Sequence, residues 1–204
     1  ETAFCFFVRF VKEIKLKMMD TPLSKSSDEK RNVNMSETNI VWTRIDERLL
    51  HGQIRITWGK HTGANLILVC NDDAAEGPNA PFMQAAMKAS AGGEYAVRFF
   101  SIQKTIEVIS KASAKQKIFI LCNNPTDVAR LVEGGVPLKQ CNIGNMHYHE
   151  GKYQITKTVS VNENDMNAFK RIIAKGVPCT VQNTPDQKAV DIISLVEKKH
   201  EILI

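Results

Sequence analysis

Two short apolar stretches, Leu66–Cys70 and residues 117–122, carry almost no polar alternation. A strand that is apolar on every residue has both faces buried, and this requires a layer of helices on each side of the sheet. The segments between such runs repeat at helical spacing, so strand and helix alternate along the chain. Strands are expected over residues 39–45, Leu66–Cys70, 95–100, 117–122, 141–143 and 178–182. Helices are expected over 53–62, 82–91, from Ser101 to about 112, 127–133, 162–175 and 186–199. Residues 153–161 alternate as an exposed or edge strand. Gly92-Gly93, Gly134-Gly135 and Gly176 stand where helices stop. This order predicts an α/β fold: a doubly wound, mostly parallel central sheet with helices on both faces. Ligands of such sheets bind beyond the carboxyl ends of the strands.

At the end of the first expected strand stands Arg44-Ile-Asp-Glu-Arg-Leu-Leu-His-Gly-Gln53. His51 falls where the strand ends and the next helix begins, with Arg44, Arg48 and Arg55 around it. A helix N-terminus offers unpaired N–H groups and partial positive charge to an anion. Arginine adds forked donors that match phosphate oxygens. A neutral imidazole there is a nucleophile able to take up a phosphoryl group. On residue chemistry alone, a phosphate or carboxylate ligand held without covalent chemistry fits the same pattern.

The ten-residue string resembles the active-site segment of the IIB proteins of the mannose/sorbose/fructose family, from the bacterial phosphoenolpyruvate-dependent sugar phosphotransferase system. The likeness continues in order through Trp58, Ala64 to Asp72, Phe99-Phe-Ser-Ile-Gln-Lys104, Leu131 to Pro137 and Asn142-Ile-Gly-Asn-Met-His147, covering about residues 39–185. The Phe-Phe-Ser-Ile-Gln-Lys and Asn-Ile-Gly-Asn segments look most like members handling N-acetylgalactosamine or galactosamine. The resemblance implies that His51 takes a phosphoryl group from a IIA phosphohistidine. It then passes the group to a sugar held by the membrane proteins IIC and IID. It also implies no cofactor and a cytoplasmic protein bound to the membrane's inner face through IIC and IID. Family members often form homodimers.

Each neighbour of His51 has a physical role open to it. Arg48 can pair with phosphoryl oxygens. Asp46 can fix the imidazole tautomer, or it can cap the turn. Gly52 lets backbone approach the phosphate, and Gln53 caps the loop or touches phosphate. Arg44 is either a second phosphate-facing charge or an outward partner of Glu47. Ser101 can offer a hydroxyl to phosphate or simply cap its helix. Asp72 is placed to bind loop backbone or a partner. The cluster of Asn145, His147, Tyr148 and His149 is polar, but two histidines without a carboxylate or cysteine set argue against a metal site. Within the first helix, Ile54, Thr57, Trp58 and His61 share the inward face.

The 204 residues carry a net charge of +5, with seven Lys/Arg and five Asp/Glu in residues 1–34. No basic patch interleaves with aromatic residues, which argues against nucleic acid. Neither GxxxxGK[ST] nor GxGxxG follows the first strand, which argues against a nucleotide enzyme. Cys70, Cys122, Cys141 and Cys179 lie in apolar runs and read as buried core thiols, while Cys5 stands apart. Residues 1–34 read as a flexible extension ahead of a domain over 35–204, with Met35 as a natural start. A basic amphipathic helix on a membrane surface is the other reading of that extension. The competing function for the domain is a regulatory or binding module that senses phosphorylation without passing phosphate on.

Overall fold

The computed structural model describes residues 38–202. The expected extension over 1–34, with Cys5 and Met35, lies outside them. A seven-stranded sheet forms the centre, in the spatial order β3-β2-β4-β1-β5-β8-β9. Its members are β1 (Ile40–Asp46), β2 (Leu66–Cys70), β3 (Ala96–Phe100), β4 (Ile118–Cys122), β5 (Cys141–Asn145), β8 (Cys179–Val181) and β9 (Val190–Asp191). All pairings are parallel except that of β8 with β9. β1 therefore lies between β4 and β5. The chain leaves β1 toward the β2 side of the sheet and leaves β4 toward the β5 side, which makes the carboxyl end of β1 a topological switch point.

The alternation of side chains divides the core into two. Leu66, Leu68 and Cys70 of β2 face one layer with Ile118, Ile120 and Cys122 of β4. Ile67, Val69, Phe119 and Leu121 face the other. The first layer holds α6 (Pro125–Glu133), α7 (Glu163–Ala174) and α8 (Ile192–Ile202), with Phe169 and Ile172 fully buried. The second is covered by α1 (Ile54–Gly59) and α4 (Ala80–Ala91), while α2 (Lys60–Thr62) continues α1 without burying a residue. The doubly wound, mostly parallel sheet with helices on both faces is present as expected. Cys70, Cys122, Cys141 and Cys179 are free, buried thiols.

Several elements differ from the expectation. Residues 153–161 do not run as one strand; they fold back as a hairpin of β6 (Tyr153–Gln154) and β7 (Ser160–Val161). The Ile155 and Thr156 N–H groups both donate to the Val159 carbonyl and close the turn. Residues 186–189 are not helical, and Val190–Asp191 add an antiparallel edge strand before α8. A short helix α3 (Asp72–Glu76) follows β2, capped by the Asn71 side chain on Ala74 N. α5 (Ile102–Val108) ends in a 3-10 turn over Ile109–Lys111. The segment Ile54–Gly59 is a π-helix, a rare form frequent at functional sites. His61 is exposed rather than inward, touching the Trp42 and Trp58 rings only by its edge.

Two bulges aim the end of β1. Ile40 pairs with Ile118 but Trp42 pairs with Phe119, so β1 carries an extra residue there. Beyond it Trp42, Arg44 and Asp46 share the face under α1, and the Trp42 and Trp58 rings stack at 5.3 Å. On the other side Ile45 pairs with Ile143 and Asp46 with Asn145, so Gly144 is the extra residue of β5. A Cβ at Gly144 would fall on the Arg44 guanidinium. We expect Gly144→Ala to lower unfolding free energy by about 2–3 kcal/mol through overpacking of a filled site. Gly52→Ala, whose Cβ would meet nothing within 4 Å, should stay within about 0.5 kcal/mol of wild type, typical of surface changes. Urea denaturation of the two variants tests the contrast.

Candidate active site

The loop from β1 to the first helix is built on Asp46. Its carbonyl accepts from Leu49 N at 2.8 Å and its Oδ1 from Arg48 N at 3.2 Å. Such an Asx turn is what an aspartate does at the end of a strand. The loop is tied on both flanks: Glu47 N donates to the Asn145 carbonyl at 2.9 Å, and Asn123 Nδ2 donates to the Glu47 carbonyl at 3.4 Å. Leu49 takes a left-handed backbone with φ of 55°. That costs roughly 1–2 kcal/mol for a residue with a side chain. Burying Leu49 and Leu50, which are 3% and 2% exposed, returns about 1.5–3 kcal/mol each. Burial wins, and the next residue, His51, is delivered in a fixed direction at the start of the helix.

His51 Nε2 is buried and lies 3.5 Å from Asp46 Oδ2, long for a hydrogen bond, so the contact is chiefly electrostatic. Asp46 thus caps the turn with one oxygen and faces the imidazole with the other. Burial pushes its carboxyl up, but His51, Arg44 and the Arg48 N–H outweigh this and hold it below the ordinary aspartate range. Arg48 Nε stands 3.7 Å from Asp46 Oδ1, with about half of the side chain, 49%, exposed. Asn145 supports it. With its amide nitrogen donating to the Thr158 carbonyl at 3.2 Å, its oxygen accepts from Arg48 Nε at 3.3 Å and from His147 Nε2 at 3.2 Å. Gly52 opens the helix beneath empty space, and Gln53 is exposed.

Arg44 is elsewhere. It lies beneath the loop, 3% exposed, rather than at a phosphate-facing surface, and it does not pair with Glu47. Its Nη2 donates to Asp46 Oδ2 at 3.3 Å, and its Nη1 donates to Asn142 Oδ1 and to the Gln182 carbonyl. Glu47 is held instead by His149 Nε2 at 2.6 Å, His147 Nδ1 at 3.2 Å and His147 N at 2.6 Å. Burial raises the Glu47 carboxyl, and the two histidines more than reverse that. Sequence reasoning missed this clasp because about a hundred residues separate its members. The adjacency of β1 and β5 brings them together.

Ser101 is not brought to His51. It ends β3, three strands from β1, which is about 14 Å at ordinary strand spacing. There it caps α5 and donates to Glu76 Oε1 at 2.8 Å. Asp72 binds loop backbone, accepting from Ile102 N at 2.8 Å, and pairs with Arg130 at 2.6 Å. Among the described residues, no helix is long and apolar enough to cross a membrane.

The structure thus brings together a buried aspartate behind an imidazole, a half-exposed arginine beside it and an open helix N-terminus. Residues 40–203 match the family described as the PTS system sorbose subfamily IIB component. The chain is 48% identical over 158 residues to the N-acetylgalactosamine-specific phosphotransferase enzyme IIB component 2 of Escherichia coli, covering 78% of this chain and 99% of that one. It is 35% identical to the mannose-specific EIIAB component of the same species, covering 76% of this chain and 48% of that protein. The crystal structure of the N-acetylgalactosamine-specific IIB component 1 from Escherichia coli superposes with a TM-score of 0.72 at 44% identity, over 76% of this chain and 99% of that one. The IIB domain of the sorbose permease from Klebsiella pneumoniae gives 0.71 at 31% identity, over 78% and 97%. The chain belongs to the sorbose-subfamily IIB components of the sugar phosphotransferase system, which are phosphotransferases.

Proposed function

We propose that His51 is the phosphohistidine of this IIB component and that Nδ1 is the nitrogen that carries the phosphoryl group. The observation behind this is the seating of Nε2 against buried Asp46, which favours the tautomer with a proton on Nε2 and a lone pair on Nδ1. In the first transfer a phosphohistidine of the IIA protein is the donor. The new N–P bond forms at Nδ1 as the donor's N–P bond breaks, and the released imidazole takes up a proton. In the second, a sugar hydroxyl attacks phosphorus and the His51 N–P bond breaks, with the hydroxyl proton passing to the freed ring or solvent. Arg48 neutralises the equatorial oxygens, and the open N–H groups at Gly52 and Gln53 add partial positive charge. Positioning and charge neutralisation carry such a reaction. The sugar is N-acetylgalactosamine or a related hexosamine or hexose, a reading supported by the specificity named for the relatives at 48% and 46% identity. The protein docks to IIC and IID at the membrane for the second step.

Mass spectrometry after incubation with phosphoenolpyruvate, enzyme I, HPr and IIA should show one acid-labile phosphoryl group on the wild type and none on His51→Ala. Absence of the group on the wild type, with IIA itself phosphorylated, would falsify the carrier reading and leave a binding module in its place. Arg48→Ala should slow phosphoryl transfer by roughly 10²–10³, the usual loss when one charge-stabilising donor is removed. Single-turnover kinetics with phosphorylated IIA reads this directly.

Asp46 also links stability to acid. Its folded-state pKa is depressed, so its contribution is present above the unfolded aspartate value, about 3.9, and is lost as pH falls through the folded value. The gap in urea midpoint between wild type and Asp46→Asn should therefore be wide at neutral pH and narrow steadily in acid. A gap that stays constant down to strong acid contradicts the assignment.

A further inference from the structure

Arg44 is a buried cation with a single anionic neighbour among the described residues. Its guanidinium is enclosed by the Trp58 ring at 4.9 Å, by Asn142 and by the Gln182 and Asn183 carbonyls at 3.0 and 3.5 Å. Trp58 is itself locked, with Nε1 donating to the Asn183 carbonyl at 3.0 Å. Gly144 removes the Cβ that would occupy the same space. Among the described residues the carboxylate in contact is Asp46, and the oxygen that Arg44 touches, Oδ2, is the oxygen that faces His51. Arg44 therefore sits directly behind the group that sits directly behind the imidazole.

A lone carboxylate 3.5 Å from an imidazole favours the charged, protonated ring, which has no lone pair for phosphorus. It would also repel the incoming phosphoryl oxygens. A fixed cation on the far side of that carboxylate turns the charge into a dipole, which still orients the ring but attracts a proton less. Resting on the phosphocarrier reading above, we propose that Arg44 is a positioning residue for phosphoryl transfer. It acts through Asp46, fixing Oδ2 against His51 and offsetting its charge so that the ring stays neutral and nucleophilic.

Burial lowers the Arg44 pKa to about 10, which keeps the guanidinium charged through the neutral range. The charged groups in contact with Asp46 and His51 are few. Arg44 approaches from β1 and Arg48 from the loop, while the facing parts of β5 and the 182–183 segment offer amides and carbonyls. Glu47, across the rim, is engaged by His147 and His149.

The test is the pH profile of His51 phosphorylation, using phosphoramidate as a donor that needs no partner protein, for wild type, Arg44→Gln, Arg44→Met and Arg44→Lys. The neutral variants should move the half-maximal pH of uptake upward by about one unit, with a roughly tenfold slower rate at pH 7, the shift expected from an unopposed neighbouring carboxylate. Arg44→Lys should keep the wild-type midpoint. Adding Asp46→Asn to Arg44→Met should abolish the upward shift and removes both buried charges, so it is also the variant best able to fold. An unshifted midpoint in a folded neutral variant overturns the proposal, as does an upward shift that persists in the double variant. The His51 ring signals in proton NMR over the same pH range should change at higher pH in the neutral variants. That readout needs no phosphoryl donor, so it decides the part played by Arg44 even if wild type takes up no phosphate, a result that would count against the carrier reading alone.

Discussion

The buried ion pair between Arg44 and Asp46 constrains everything around it. A guanidinium taken out of water requires hydrogen-bond acceptors on all sides, because an uncompensated buried charge costs about 3–5 kcal/mol. The fold supplies them from separate parts of the chain: Asn142 from β5, the Gln182 and Asn183 carbonyls after β8, and the Trp58 ring from α1. Those strands and that helix can sit only where they satisfy Arg44. The bulge at Trp42 and the extra Gly144 in β5 both follow from the need to place the guanidinium under α1 without a clash. Stability and site geometry are thus set by the same contacts.

Legibility in the sequence followed the range of the interaction. The uninterrupted apolar runs of β2 and β4 announced a sheet covered on both faces, and both core layers are there. The grouping of Asp46, Arg48 and His51 was readable because they lie within one loop, where spacing fixes geometry. Arg44 stays open in the sequence between facing phosphate and pairing outward with Glu47, because a charged residue two positions from an aspartate gives no sign of which side it will face. Only the bulge at Trp42, a property of the pairing with β4, decides that. The Glu47 clasp depends on the adjacency of β1 and β5, and no local pattern encodes it. The last helix began later than expected because Val190–Asp191 found an edge partner in β8, a tertiary choice that overrode helical spacing.

The two arginines of the motif differ in duty because they differ in exposure. Arg48 is about half exposed, so its charge is free to meet a phosphoryl group that arrives and departs, at the cost of screening by water. Arg44 is sealed, so its charge is strong and permanent but can act only on what is already beside it. A carrier must accept a phosphoryl group and later release it. A fully desolvated cation bonded to the phosphate would hold the group too firmly for release. Under the phosphocarrier mechanism proposed above, the sealed charge behind Asp46 would give orientation from below and the solvated one beside the ring reversible neutralisation from above.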